Sequence, residues 1–372
     1  MRIGVVTLHR VRNFGSLLQT YATNKTLTEI NGENEVVFID YFPRGLWLST
    51  GIKTIKGGGN LVKRLVRKAG ATYFFSKQQC MVNKFLKKNV KVTKKRYKSY
   101  KELEQTPPDF DVYVCGSDQI WNTQNANEKD DVKGYYLDFV PKGKTRVAYA
   151  SSFGKTEFSD GEAEQVKGYL SKFDGISVRE NVAVEMIREL GIDIAVHVVD
   201  PTLMLSKSDW VEFASKKKFN VKGDYVFVYN LNRNEEIVKT AKEIANKYNV
   251  PIINFADTFQ NIKGAKNKSA NTPYDFVNYI LNAKVVLTDS FHATAFSLNL
   301  NKPFISFKAP RFNSRLESIL QVAGLTDRLV ECKEQAESVL ETKIDFDKVN
   351  YKLNEMRKTT KKFLTSHLRE RN

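Results

Sequence analysis

Acidic residues are missing from one long stretch of this 372-residue chain: between Lys53 and Lys101 there are sixteen lysines or arginines and no aspartate or glutamate. The chain carries 59 basic and 42 acidic residues, and setting that stretch aside leaves 43 against 42. Sixteen of the seventeen net positive charges therefore sit in one segment, as a solvated surface or an interaction face. Cysteine is scarce as well. Cys80, Cys115 and Cys332 form no CxxC pair, which excludes a disulfide framework and a structural zinc site and points to a reducing, cytoplasmic compartment. There is no run of eighteen apolar residues to span a bilayer. The opening "MRIGVVTLHRVRNFGS" has too short an apolar core for a signal peptide and reads as a first strand. Neither GxGxxG nor GxxxxGK[ST] occurs, so the glycine-rich phosphate cradles of dinucleotide and P-loop enzymes are absent. Internal repeats and low-complexity linkers are missing too.

What is present is a chain of ordinary globular composition, 41% hydrophobic and 27% charged, long enough for two domains. Short apolar runs at 2–8, 35–41, 111–116, 146–153 and 175–180 predict buried strands, with helices between several of them; a helix over 16–30 is opened by Ser16. The basic region 52–104 is predicted as a helical insertion. A second series begins after residue 206, with strands at 224–231, 250–256, 284–289 and 303–308 alternating with helices. The last thirty residues predict one polar helix. Alternating strands and helices predict parallel sheets covered on both faces, hence two Rossmann-like domains, 1–205 and 206–345. The helix of 346–372 is expected to pack back on the first.

Ligands in such sheets lie beyond the carboxyl ends of the strands, so candidate site residues are those that follow each strand. After the first strand come His9, Asn13, Gly15 and Ser16, a turn whose amides open a helix and can face an anion. After "DVYVC" come Gly116, Ser117, Asp118, Gln119, Trp121 and Asn122. This is either a capped loop anchored by its indole or a pocket wall that meets a sugar with amides, a carboxylate and an aromatic face. Arg179 follows "GISV", where it can fork onto a carboxylate or phosphate or pair with Glu180. Asp200 before Pro201 reads as a turn cap, and His197 as a satisfied buried histidine. After "KVVLT" come Asp289, Ser290 and His292; after "PFISF" come Lys308, Arg311 and Arg315. Those two ends gather an imidazole, cations and a helix N-terminus, a plausible anion site.

The pieces "NFGSLLQTYA", "GSDQIWN", "YASSFG", "SVRE", "VDPTLML" and "TDSFHATAFSLNLNKPFI", in this order, resemble the polysaccharide pyruvyl transferases. The resemblance implies two Rossmann-like domains in a GT-B-like arrangement with the active site in the interdomain cleft. It implies transfer of pyruvate from phosphoenolpyruvate, a co-substrate, to a hexose of a bacterial surface polysaccharide precursor. The product is a cyclic ketal, and the acceptor is often carried on a polyprenyl diphosphate. Catalysis falls to His292 and Arg179. Many members have arginine two positions before that histidine, where this chain has Ser290; Lys308, Arg311 or Arg315 then supplies the missing cation.

The donor set expected from these readings is Arg179, Ser290, Lys308, Arg311, Arg315, Asn13, Gly15 and Ser16. The acceptor set is Asp118, Gln119, Trp121, Asn122 and His9. Histidine suits a step that gives and takes protons near neutrality. No metal and no other cofactor is expected. The basic segment 53–101 would hold a cytoplasmic protein peripherally on the anionic inner face of the membrane. A glycosyltransferase using a nucleotide sugar is the rival within the same fold. A nucleic-acid partner is not expected, because the cations sit in one segment without a binding motif while the rest of the chain is neutral.

Overall fold

The structure is a computed structural model of the whole chain and describes residues 1–32, 34–43, 61–122, 130–255, 260–268, 271–310 and 313–368. The chain divides into two compact units. Unit 1 is Met1–Pro201 with Thr360–Asn372, and unit 2 is Thr202–Thr359.

Unit 1 is built on strands β1 (Arg2–Val6), β2 (Glu35–Tyr41), β3 (Lys91–Tyr97), β4 (Val112–Cys115), β5 (Thr145–Ser151), β6 (Gly175–Val178) and β7 (Ala195–His197). They form one sheet in the order β3-β2-β1-β4-β5-β6-β7, and every pairing is parallel. Central strands such as β4 are buried along their whole length, as expected of a sheet covered on both faces. Unit 2 carries β8 (Val226–Tyr229), β9 (Ile252–Phe255), β10 (Lys266–Lys268), β11 (Val285–Thr288), β12 (Phe304–Phe307) and β13 (Leu329–Val330). Their order is β10-β9-β8-β11-β12-β13, again all parallel. In each sheet the order reverses once, between β1 and β4 and between β8 and β11. These are the switch points where doubly wound sheets leave a crevice for a ligand.

The expected strands and helices are found within a few residues of their predicted bounds, with one exception of kind. The basic region was predicted helical to residue 104. It forms the helix Leu61–Asn89, but Lys91–Tyr97 turns back as edge strand β3. Its lysines do not decide the matter. The backbone ladder to β2 does, and Thr93 Oγ1 accepts from Asp40 N at 2.9 Å. Residues 52–60 of that region lie outside the described residues.

The helix Phe346–His367 starts in unit 2, where Arg357 Nε donates to Leu203 O at 2.6 Å. Its end belongs to unit 1. There Val199 N donates to Thr360 Oγ1 at 3.2 Å and Asn31 Nδ2 donates to Leu368 O at 2.6 Å. Among the described residues no helix is long and apolar enough to cross a membrane.

Candidate active site

The carboxyl end of the unit 1 sheet is a buried polar network. Asn13 caps the helix Phe14–Glu29, its side chain accepting from Gly15 N at 2.8 Å and Ser16 N at 3.3 Å. Ser16 Oγ donates to Asp118 Oδ2 across the β1/β4 switch point. Asp118 Oδ1 accepts from its neighbour Gln119 N at 2.8 Å and from Arg179 Nη2 at 3.2 Å. Arg179 Nη1 donates to Asp200 Oδ2 at 2.7 Å, and Glu180 Oε1 stands 3.6 Å from Arg179 Nε. Asp200 also accepts from Ser117 Oγ at 3.0 Å, and Glu180 from Ser152 Oγ at 2.6 Å. The ends of β4, β6 and β7 are thus tied directly to one guanidinium.

Arg179 was expected to grip the donor. Its side chain is 0% exposed and is held by three carboxylates. Burial works to lower its pKa, but Asp200, Asp118 and Glu180 outweigh burial and push it above the usual arginine value. The guanidinium is thus engaged by the protein's own carboxylates. Asp200, expected as a turn cap, is one of its buried partners. The sign in the sequence was a carboxylate closing the apolar run "HVVD".

Trp121 also departs from expectation. Its indole stacks on Tyr136 with centroids 5.3 Å apart and an interplanar angle of 3°, and lies 5.0 Å from Phe153. Its Nε1 donates to Tyr135 O at 3.2 Å and it is 0% exposed. It anchors the loop from within the core and offers no face to a sugar. Gln119 and Asn122 flank Gly154 instead. A Cβ on Gly154 (φ +66°) would lie 2.5 Å from the Gln119 amide nitrogen and 2.9 Å from that of Asn122, so the glycine of "YASSFG" leaves room for both side chains.

His9 is likewise closed off, at 1% exposed. Its Nδ1 donates to Thr7 O at 3.0 Å and its Nε2 lies 3.3 Å from Asp40 Oδ1. Asp40 accepts from Arg10 through both oxygens and from Arg96 Nε at 3.1 Å. Burial would raise the Asp40 pKa, yet hydrogen bonds from His9 and Arg10 hold it well below the ordinary carboxylate range. This removes His9 from the acceptor set. The signal for the cluster was an acid inside the apolar strand "VVFIDY". His197 is half-buried rather than fully enclosed, and burial lowers its pKa.

At the unit 2 switch point the loop after β11 is built around Asp289, which is 4% exposed. Its carboxylate accepts from Leu231 N at 2.7 Å, Asn232 N at 2.8 Å and Asn232 Nδ2 at 2.8 Å, clamping the loop after β8. Ser290 N donates to Thr288 Oγ1 at 3.0 Å, and Ser290 precedes the helix Phe291–Asn299. That helix is buried on all sides, which fits its apolar sequence. His292 is its second residue and is 6% exposed, with its ring set edge-on to Phe291 at 5.2 Å. Arg315 places its guanidinium 5.9 Å from the Phe291 ring centre. Lys308 follows β12, partly exposed, with its Nζ 2.8 Å from Glu331 Oε1. Arg311 lies outside the described residues. Unit 2 thus gathers His292, Ser290 and Arg315 around one helix start, and Lys308 stands at the neighbouring strand end.

A family model described as polysaccharide pyruvyl transferase matches residues 13–308. None of the curated proteins matches significantly. Several solved structures share the fold at low identity. A UDP-GlcNAc 2-epimerase from Neisseria meningitidis, bound to UDP-GlcNAc, aligns with TM-score 0.54 and 11% identity over 98% of this chain and 100% of that one. A putative UDP-N-acetylglucosamine 2-epimerase from Listeria monocytogenes aligns with TM-score 0.54 and 10% identity, covering 96% and 90%. The UDP-N-acetylglucosamine 2-epimerase of Rickettsia bellii gives 0.52 and 12%, covering 99% and 96%. These likenesses show the fold, two parallel-sheet α/β domains of the GT-B type.

Proposed function

Because the chain belongs to the polysaccharide pyruvyl transferase family, we propose that it takes pyruvate from phosphoenolpyruvate and sets it as a cyclic ketal on a hexose of a bacterial surface polysaccharide precursor. The observation that carries this reading is the place of His292. It stands in the first turn of a helix at the unit 2 switch point, inside the motif "TDSFHATAF".

Phosphoenolpyruvate is an anion of about three charges near neutrality and needs cations and amides. The first amides of the helix Phe291–Asn299, the Ser290 hydroxyl, Arg315 and Lys308 would supply them. Lys308 would exchange Glu331 for the donor at little cost, since an exposed pair is worth only about 0–1 kcal/mol. His292 would then deliver a proton to the methylene carbon, which becomes the methyl group, while a sugar hydroxyl attacks C2 and passes its proton to the neutral imidazole this leaves. Phosphate leaves with its bonding pair. A second hydroxyl attacks C2, closes the ring and gives its proton to the released phosphate, which leaves as hydrogen phosphate. Asp118, Gln119 and Asn122 are the proposed acceptor contacts. Arg179 positions Asp118 and through it Ser16. The reaction would run in the cytoplasm, where the donor is made.

The test is direct. Incubated with phosphoenolpyruvate and candidate nucleotide-linked or lipid-linked sugars, the protein should add one pyruvate increment by mass spectrometry and release one phosphate per transfer. His292→Ala should lose transfer while unfolding at the parent temperature; near-normal turnover would remove the assignment. Sugar transfer from a nucleotide donor, with no phosphate drawn from phosphoenolpyruvate, would replace the reading by glycosyl transfer.

A further inference from the structure

We propose that the basic face of unit 1, formed by the helix Leu61–Asn89 and edge strand β3, docks the protein on an anionic phospholipid surface. The part of this helix with described side chains is two-sided. Val82, Phe85 and Leu86 are buried, while Lys77, Lys84, Lys87 and Lys88 are exposed. At about 100° per residue those four lysines fall within an arc of about 100°. The chain then turns into β3, where Lys94 and Lys95 are exposed, followed by exposed Lys98. Lysines on an edge strand also keep it from pairing with another sheet, which accounts for β3. That role does not account for the four on the helix, which lie off the edge.

A basic helix with apolar residues among its cations suits a lipid interface better than a nucleic-acid groove, which calls for a recognition motif that the chain lacks.

The face is keyed to the loop after β1. Arg10 Nη1 donates to Asn83 Oδ1 on the helix at 2.9 Å and Arg10 also binds Asp40. Arg12 lies over the Phe75 ring, 4.3 Å from its centre. One residue on, Asn13 caps the helix whose Ser16 holds Asp118. The docking face is therefore tied, through this loop and Ser16, to Asp118 among the proposed acceptor contacts. A lipid-linked acceptor at the bilayer would meet that loop first; this last step rests on the function proposed above, whereas the docking does not.

The experiment uses the full chain and vesicles without substrate. At low salt the protein should co-sediment with equimolar phosphatidylglycerol and phosphatidylcholine and stay free with phosphatidylcholine alone, and binding should fall as salt is raised. Lys84→Glu/Lys87→Glu/Lys88→Glu should lower partitioning by more than about tenfold, given the attraction each cation adds near an anionic surface. The matching arginine triple should bind like the parent, and both should keep the parent unfolding temperature. Parent-like binding by the glutamate triple overturns the proposal, as does tighter binding to double-stranded DNA than to vesicles at equal salt. Failure of pyruvyl transfer with vesicle binding intact would sink the proposed reaction alone.

Discussion

Arg179→Met separates the two roles open to this arginine. In the structure the guanidinium is enclosed and serves Asp118, Asp200 and Glu180 together. Methionine keeps much of the volume and removes the charge, leaving three buried carboxylates facing one another. Breaking a buried ion pair from one side costs about 3–5 kcal/mol, a large part of the about 5–15 kcal/mol that holds a folded protein. At about 2–4 °C per kcal/mol for a unit of this size, the melting temperature should fall by about 6–20 °C. The loss should also depend on pH. Without the cation, burial and mutual repulsion raise the native-state pKa values of the remaining acids above their unfolded values. The native variant then binds more protons than its unfolded chain, so its stability rises as pH falls. The gap to the parent should therefore narrow between about pH 7 and pH 5, followed by thermal unfolding with circular dichroism. A variant as stable as the parent at every pH, yet inactive, would refute this reasoning. It would return the guanidinium to the donor.

Other substitutions test single contacts. Asp289→Ala leaves two backbone amides after β8 without their acceptor; it should cost about 1–3 kcal/mol in urea unfolding and lower kcat, since Asp289 lies in the short loop that leads into the His292 helix. Trp121→Ala should cost about 3–5 kcal/mol as a core cavity, whereas a pure rise in acceptor KM at parent stability would restore it as a sugar platform. Gly154→Ala adds a methyl against Gln119 and Asn122 at a positive φ, so acceptor KM should rise more than donor KM. Asp40 has a native pKa below its unfolded value, so its contribution is present above about pH 4 and is lost as pH falls further. Asp40→Asn should therefore be destabilised at neutral pH and should converge with the parent in acid.

The fold was legible because fully buried parallel strands leave short apolar runs, and β1, β2, β4 and β11 show them plainly. β3 was not legible. Its sequence KVTKKRY has too little apolar content to announce a strand, and only pairing with β2 makes it one. At the site, position along the chain was readable and direction of the side chain was not. The sequence puts Trp121, His9 and Arg179 at strand ends, but a strand end has an outward and an inward side. Trp121 turns in because Tyr136 and Phe153, from later elements, supply the stack. Arg179 turns in because Asp200, twenty-one residues later, supplies a carboxylate. Such pairings depend on tertiary neighbours and leave no local spacing to read.

The two units repeat one device. In each sheet the first strand of the unit and the strand beyond the switch point run side by side, β1 with β4 and β8 with β11. In each, an aspartate just past the second of these strands ties down the chain that follows the first. Asp118 accepts from Ser16, and Asp289 accepts from Leu231 and Asn232. A crevice that must hold a ligand repeatedly in one geometry gains from such a clamp, because the loops on its two sides cannot move independently. The tethers differ in their partners. Asp118 shares its carboxylate with Arg179, while the Asp289 carboxylate takes two backbone amides and a side-chain amide. Loss of Asp118 should therefore also release Arg179 toward Asp200 and Glu180. Asp118→Asn should perturb stability and acceptor use together, and adding Ser16→Ala to it should cost little more, because both act through the same tether. Full additivity of the two changes in unfolding free energy would show that the tether does not act as one unit.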